Sequence, residues 1–290
     1  MTPQSQRALH WLGSGLAISG VFFLASRLHE YWASLNFSSF TPSTWASIAA
    51  LSIIYGGANV LLALAWRCLL QQFGVHVPAL WAIRTYGVSQ LAKYLPGNIF
   101  HLAGRHAIGM SVGLPSGALA KSILWELCLI ILAGATCGIL GLSQIIPGLT
   151  QIELLVLFLA TSILEWTILN KLFGNHCATA FFQLLCFLAI SGLVFVAISA
   201  KLSTTSELGT YHILTLCGAY ILAWLIGMIT PGAPAGVGVR ELVLLLLVKG
   251  MLTEPDLLVA VLTGRIVTVS GDFIYFLSSL TLNRSKTGIK

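Results

Sequence analysis

Seven charged side chains are predicted to lie inside or beside strongly apolar segments. An ionisable group in such surroundings is costly and is therefore a candidate for function. Guanidinium and ammonium groups bind phosphate, and carboxylates can position them or move with them. This set of residues therefore predicts a polar site for an anionic group within an apolar protein. The seven residues are Lys93, Arg105, Glu126, Arg240, Glu241, Arg265 and Asp272.

Two of the arginines, Arg105 and Arg240, follow a predicted break in a helix, each nine residues after the proline of a Pro-Gly pair. A helix broken inside a membrane leaves backbone N–H and C=O groups that need another partner. The helix that follows presents a partial positive charge at its N-terminus, and glycines let the backbone approach a ligand closely. The residues of the two breaks are Pro96, Gly97, Pro231, Gly232, Gly236 and Gly238.

The composition indicates that the elements positioning these residues lie in a lipid bilayer. Hydrophobic residues make up 57% of the chain and charged residues 8%, whereas a soluble domain carries about 25% charged residues. Lipid tails solvate an apolar exterior that so few polar residues could not cover in water. The net charge of +6 comes from scattered Lys and Arg, which favours membrane topology over nucleic-acid binding.

We predict an all-α polytopic integral membrane protein, a single membrane domain over residues 1–290 with about seven or eight transmembrane helices. A span needs about 20 predominantly apolar residues. The first such segment is long for a signal sequence and lacks a cleavage site, so we expect an uncleaved span. The seven segments that qualify are about 8–26, 45–67, 116–142, 152–169, 178–199, 211–229 and 256–281.

Two segments between these spans are irregular. The first reads as a helix over 79–95, a break, and a second helix from about 99 to 112, with the polar residues of the first helix on one face. The second opens with the Pro231 break and continues as a helix from Val239 to Met251. Thirteen residues extend about 20 Å, which is too short to cross a hydrocarbon core of about 30 Å.

The two irregular segments predict an internal repeat. Each lies between long spans, and their arginines are 135 positions apart, at 105 and 240. We expect one repeat over about 45–142 and the second over about 211–281, each built as span, broken or re-entrant segment, span. Paired interruptions in corresponding halves are typical of the binding site of a transporter.

The arginines also have a structural interpretation. Arg105 and Arg240 could each pair with Glu126, Glu241 or Asp272 and hold helices together. The Lys93 ammonium could equally extend to the lipid head groups.

Other residues that often carry chemistry receive structural interpretations. Gly134 and Gly138 are spaced for close packing of a neighbouring helix. His101 and His106 are not spaced for a shared metal ion, and the six cysteines form no C-x-x-C pair. We therefore expect neither a metal ion nor a cofactor, and the motifs of soluble enzymes are missing.

Two stretches resemble the membrane region of the lysylphosphatidylglycerol synthases. Residues 93–97, K-Y-L-P-G, match the family's K-Y-x-P-G motif in full. Residues 231–241, P-G-A-P-A-G-V-G-V-R-E, are similar to its P-G-G-x-G-x-R-E motif but longer, with an extra Pro234. Glu126 and Arg265 also lie where the family carries similar residues. The resemblance covers about 45–281 and does not include the soluble domain that attaches the amino acid.

The resemblance implies a bacterial inner-membrane lipid transporter of the flippase type. Its substrate would be an anionic lipid, either a phospholipid or a polyprenyl-phosphate-linked sugar of cell-envelope synthesis, and it would not be an enzyme. Family members also occur with glycosyltransferases, which leaves an accessory or scaffold subunit of such an enzyme as an alternative. A membrane-embedded lipid-dependent transferase, with Glu126 or Asp272 as the base, is a third. The expected partners are an anionic membrane lipid and an envelope-synthesis enzyme, not a nucleic acid.

Overall fold

The computed structural model describes residues 29, 40–95, 99–144, 146, 148–202, 210–230, 238–248 and 251–282. The predicted span over 8–26 and five of the helix-break residues, Pro96, Gly97, Pro231, Gly232 and Gly236, lie outside these ranges. Within them the chain forms nine α-helices and no strand.

The helices, numbered here in chain order, agree closely with the segments predicted from the sequence. Short 3-10 helices, Leu91–Tyr94 and Ile139–Gln144, extend the second and fourth of them. The nine are α1 (Pro42–Gln72), α2 (Ala79–Gln90), α3 (Phe100–Ser111), α4 (Ser116–Gly138), α5 (Gln151–Phe173), α6 (Asn175–Leu202), α7 (Thr210–Ile229), α8 (Val239–Leu247) and α9 (Glu254–Thr281).

Five of these helices are long and apolar enough to cross a membrane: α1, α4 with its 3-10 extension, α5, α6 and α9. The apolar part of α7, Ile213–Ile229, spans about 25 Å at 1.5 Å per residue. Helix α8 has nine residues, four fewer than the thirteen expected, because the chain turns at Val248. The fold is therefore that of a helical membrane protein that contains short helices as well as long ones.

Threonine side chains fix where three of the long helices begin. The Thr41 hydroxyl accepts from the backbone N–H of Thr44 ahead of α1, and Thr253 caps α9 in the same way. Thr150 and Glu153 form a reciprocal capping box at the start of α5. Each cap satisfies backbone N–H groups that have no partner within the first turn of a helix.

Helices α1 and α6 pack along each other at the centre of the bundle. Helices α4 and α9 both contact this central pair, α2 lies against α1 and α9, and α7 lies against α6 and α4. Helix α5 packs on the outside of α6 and fully buries only Leu154 and Leu169. Most of its apolar side chains are thus left for lipid.

The crossing of α1 and α9 depends on two glycines. A Cβ atom on Gly56 would lie 2.8 Å from the Gly271 carbonyl oxygen, and one on Gly271 would lie 2.7 Å from the Ser52 carbonyl oxygen. Only glycine permits this approach of the two backbones. The contact places Asp272 of α9 beside Asn59 of α1, which is where the polar site begins.

Glycines also bring α4 against α7. A Cβ atom on Gly138 would meet the Leu222 side chain at 2.4 Å, and one on Gly134 would meet Leu225 at 3.1 Å. The predicted packing role of this glycine pair is therefore confirmed. The two helices run antiparallel along this contact, since later residues of α4 meet earlier residues of α7.

Candidate functional site

A cavity of about 510 Å³ lies inside the bundle, bounded by residues of α1, α2, α3, α4, α6, α7, α8 and α9. This volume is in the range of small-molecule binding sites. Of the seven charged residues that the sequence predicts, two, Arg105 and Glu241, do not line the cavity. The five that line it are Lys93, Glu126, Arg240, Arg265 and Asp272.

The first charged cluster pairs Arg105 of α3 with Glu126 of α4. The Arg105 Nη2 atom lies 2.7 Å from Glu126 Oε2, and Nη1 donates to Oε1 at 3.1 Å. The guanidinium packs over the rings of Tyr86 and Trp66, and the Tyr86 hydroxyl donates to Glu126 Oε1 at 2.8 Å. Arg105 is 1% exposed, so this cluster reads as a buried structural ion pair with one carboxylate edge on the cavity.

The second cluster surrounds Asp272 in the middle of α9. The Lys93 Nζ atom lies 2.7 Å from Asp272 Oδ2, and the Tyr94 hydroxyl donates to the same oxygen. The other carboxylate oxygen accepts from Asn59 of α1 at 3.3 Å, and Gln90 donates to the Asn59 side-chain oxygen at 3.2 Å. The end of α2 is thereby tied to α9 and α1.

The third cluster joins α9 to the start of α8. The Arg265 Nε and Nη2 atoms donate to Glu241 Oε1 at 2.9 and 2.7 Å. The other Glu241 oxygen accepts from the Gly238 backbone N–H at 2.7 Å. Gly238 has a φ of 85°, a left-handed conformation that favours glycine, so the chain turns into α8 there.

The partners of Glu241 also set its titration. Burial is the largest single effect and raises the pKa of the Glu241 carboxyl. The charge and hydrogen bond of Arg265, a backbone hydrogen bond and the charge of Arg240 together outweigh it and hold the pKa below its usual value. Glu241 therefore stays ionised and anchors both Arg265 and the first turn of α8.

Arg240 differs from the other charged residues. Its guanidinium is 8% exposed, lines the cavity, and lies over the Tyr220 ring at 4.3 Å. Within the described parts of the chain, no carboxylate forms an ion pair with it, although Glu241 is its neighbour in sequence. Glu241 instead turns towards Arg265.

The three ion pairs and Arg240 give the cavity a net positive charge. Four cations and three carboxylates form the described clusters, and each carboxylate is matched by one cation. The remaining charge belongs to Arg240, which faces the cavity. A buried charge without a partner is unfavourable, so this arrangement suits an anionic ligand that completes the fourth pair.

Of the two arginines that follow a Pro-Gly pair, Arg240 lines the cavity and Arg105 does not. Glu126 and two aromatic rings enclose Arg105 instead. The sequence could not distinguish the two arginines, because both follow a Pro-Gly pair at the same distance. Arg265, Thr268 and Asp272 do share the face of α9 that their spacing predicts, and all three line the cavity.

For several other residues of the site, the sequence gives little or no indication that they belong to it. Asn59 is a lone amide within an apolar span, which could have marked it. Tyr220 looks like any aromatic residue of a span, and only packing places its ring under Arg240. His101 lines the cavity, and its buried Nδ1 atom has no hydrogen-bond partner among the described residues. No three His, Cys, Asp or Glu side chains in those residues come together as metal ligands.

No protein-family model, curated protein or solved structure matches this chain. The likeness to the lysylphosphatidylglycerol synthases therefore stays a prediction from two short motifs. Any function for the site has to be argued from its geometry.

Proposed function

We propose that the chain is a lipid transporter of the flippase type in the bacterial inner membrane. Its substrate is an anionic lipid, a phospholipid or a polyprenyl-phosphate-linked sugar of envelope synthesis, whose phosphate pairs with Arg240. One observation carries the proposal. The buried Arg240 guanidinium lines a cavity of about 510 Å³ and has no carboxylate partner among the described residues.

The electrostatics of the bundle support an anionic ligand over a neutral one. Removing a guanidinium from water costs several kcal/mol unless a counter-charge and hydrogen bonds replace the lost hydration. A phosphate offers that counter-charge and accepts two N–H donors of the guanidinium fork at once. In each of the three neighbouring ion pairs the charge of the cation is balanced by its carboxylate. These pairs therefore connect the helices around the cavity without competing with Arg240 for the phosphate.

The order of the helices supports transport in particular. Helices α1 to α4 and α6 to α9 follow the same order: a long helix, a helix that ends just before a Pro-Gly pair, a short helix carrying the arginine, and another long helix. In each half the arginine packs over a tyrosine ring, at 4.4 Å for Arg105 and 4.3 Å for Arg240. Two halves around one central site can alternate their tilt and expose the site to either leaflet.

The two alternative functions have less support. A transferase would use Glu126 or Asp272 as its base, but both carboxylates are held in ion pairs. A scaffold subunit would not need a charged cavity. Co-purification with a glycosyltransferase, lost when the outer surface of the bundle is altered, would favour the scaffold.

The proposal is tested with the full chain reconstituted into phosphatidylcholine vesicles that contain fluorescent phosphatidylglycerol. We expect the wild type to move the probe between leaflets. The rate for Arg240→Gln should be lower by a factor of at least about ten, since a charged hydrogen bond contributes about 1.5–3 kcal/mol. Arg67→Gln is the matched control, because Arg67 donates to the Val77 carbonyl oxygen and does not line the cavity.

Equal rates for wild type, Arg240→Gln and Arg67→Gln would contradict the role of Arg240. Failure of the wild type to move either phosphatidylglycerol or a labelled polyprenyl phosphate would contradict the proposed transport itself.

A further inference from the structure

The exposed and buried residues of the cavity wall differ in chemistry. The polar and charged lining residues are buried or half-buried. Among the described lining residues, three are exposed and all three are isoleucines: Ile99 at 61%, Ile131 at 39% and Ile229 at 52%. The cavity thus has a positively charged interior and an apolar rim.

Two of the three rim isoleucines lie beside the glycine contact between α4 and α7. Gly138 meets Leu222 and, one turn away, Gly134 meets Leu225. One further turn along both helices, Ile131 of α4 and Met228 with Ile229 of α7 line the cavity instead. One turn beyond the glycine contact, both helices therefore present apolar side chains to the cavity.

The depth of the rim indicates what it faces. Ile131 lies 15 residues after Ser116, the start of α4, which is about 22 Å along the helix. It also lies seven residues before Gly138, where the helix continues as a 3-10 helix within the same apolar segment. At that depth in a spanning helix, an exposed isoleucine faces hydrocarbon rather than water.

We propose that the cavity opens sideways into the bilayer between α4 and α7, and that a hydrocarbon chain of the bound lipid leaves through this opening. The opening is defined here by Ile99, Ile131 and Ile229. The inference deepens the proposed function, because it assigns the ligand's head group to the interior at Arg240 and its chain to the rim. A water-soluble anion would gain nothing from an apolar rim at this depth, whereas a lipid has one polar and one apolar end that match it.

The opening is tested by photolabelling in nanodiscs of phosphatidylcholine. One probe is phosphatidylglycerol with a diazirine in its chain, and the second is phosphatidylcholine with the same chain. We expect adducts of the phosphatidylglycerol probe to be enriched near Ile131 and Ile229 relative to α5, whose exposed Ile163 reports contact with bulk lipid. The phosphatidylcholine probe should label the rim and α5 alike.

A double variant that fills the rim, Ile131→Trp with Ile229→Trp, provides a second measurement. We expect it to lower both the rim adducts and phosphatidylglycerol transport by about tenfold, since overfilling a packed site is unfavourable. Binding of tail-free glycerophosphoglycerol should be unchanged. Ile163→Trp is the matched control, an exposed isoleucine of a spanning helix that does not line the cavity.

The outcomes separate the opening from the proposed function. Arg240-dependent binding of glycerophosphoglycerol without rim enrichment would overturn the side opening and leave anion binding intact. Rim enrichment that persists in Arg240→Gln would support the opening and contradict the role of Arg240. Normal transport by the double tryptophan variant would also overturn the opening.

Discussion

The two arginines that follow the breaks occupy similar surroundings with one difference. Arg105 and Arg240 are both buried, both lie on the short helix after a break, and both pack over a tyrosine ring. Arg105 has a carboxylate partner in the next spanning helix, Glu126. Arg240 has no such partner in the described residues and lines the cavity instead.

The spacing of the two arginines points to a residue that differs between their surroundings. The 135-residue offset that relates Arg105 to Arg240 relates Glu126 to position 261, since 126 plus 135 is 261, and residue 261 is a valine. Val261 and Arg240 line the same small cleft beside the main cavity. A valine at the position where the offset would place an acid thus accompanies the arginine that is open to the cavity.

The largest effect on stability should come from breaking the Arg105–Glu126 ion pair. Removing one partner of a buried ion pair costs about 3–5 kcal/mol, because the other charge is left uncompensated. We therefore expect Arg105→Met to lower the free energy of unfolding by that amount, measured in detergent. The double variant Arg105→Met with Glu126→Leu should recover most of the loss. A double variant as unstable as the single one would show that Arg105 acts other than through Glu126.

Giving Arg240 a carboxylate partner should have the next largest effect, a loss of affinity for an anionic ligand. We expect Val261→Glu to give Arg240 the partner that Arg105 has, and to weaken binding of an anionic probe about tenfold to a hundredfold, equivalent to one charged hydrogen bond. Titration of glycerophosphoglycerol against the purified protein measures this. Val261→Gln is the control, with nearly the same volume and no charge. Equal losses in both variants would indicate a steric cause.

The two tyrosines sharpen the comparison further. The Tyr86 hydroxyl donates to Glu126, so Tyr86→Phe should destabilise the protein by about 1–2 kcal/mol through the loss of one hydrogen bond to a buried carboxylate. Tyr220 contacts Arg240 through its ring, and its hydroxyl accepts only a long hydrogen bond from Ser191, at 3.5 Å. Tyr220→Phe should therefore change stability by less than about 0.5 kcal/mol. Unfolding of the two variants side by side checks the difference. Similar losses would contradict the distinction between the two sites.

The smallest expected effect is the pH dependence of the stability that Glu241 contributes. The pKa of Glu241 is lowered in the folded protein, chiefly by Arg265 against the opposing effect of burial. Its contribution to stability is therefore fully present above the range in which glutamate ordinarily titrates and is lost as the pH falls through the lowered pKa. We expect the difference in unfolding temperature between wild type and Glu241→Gln to shrink below about pH 4. A constant difference down to the most acidic measurable pH would contradict this.

The sequence predicts the helices well, because a span must be long and apolar and a Pro-Gly pair must interrupt it. Helix α2 shows a feature that the sequence does not predict, namely what each face of a helix contacts. Its polar residues Tyr86, Gln90 and Lys93 form one face, as the periodicity predicts, but that face lines the internal cavity. The period of a helix gives its faces and not which neighbour each face meets.

The sequence by itself determined the helical membrane class of the protein, the approximate extent of its long helices and the short set of charged residues from which the site is built. Each follows from a local property: the length of an apolar segment, or the unfavourable free energy of a charge within one. Only the tertiary structure decided which charges pair. The Gly56–Gly271 crossing brings Asp272 to Asn59 and Lys93, and Glu241 turns to Arg265 and leaves Arg240 open. Pairing depends on side chains far apart in the chain, whose distances only packing fixes.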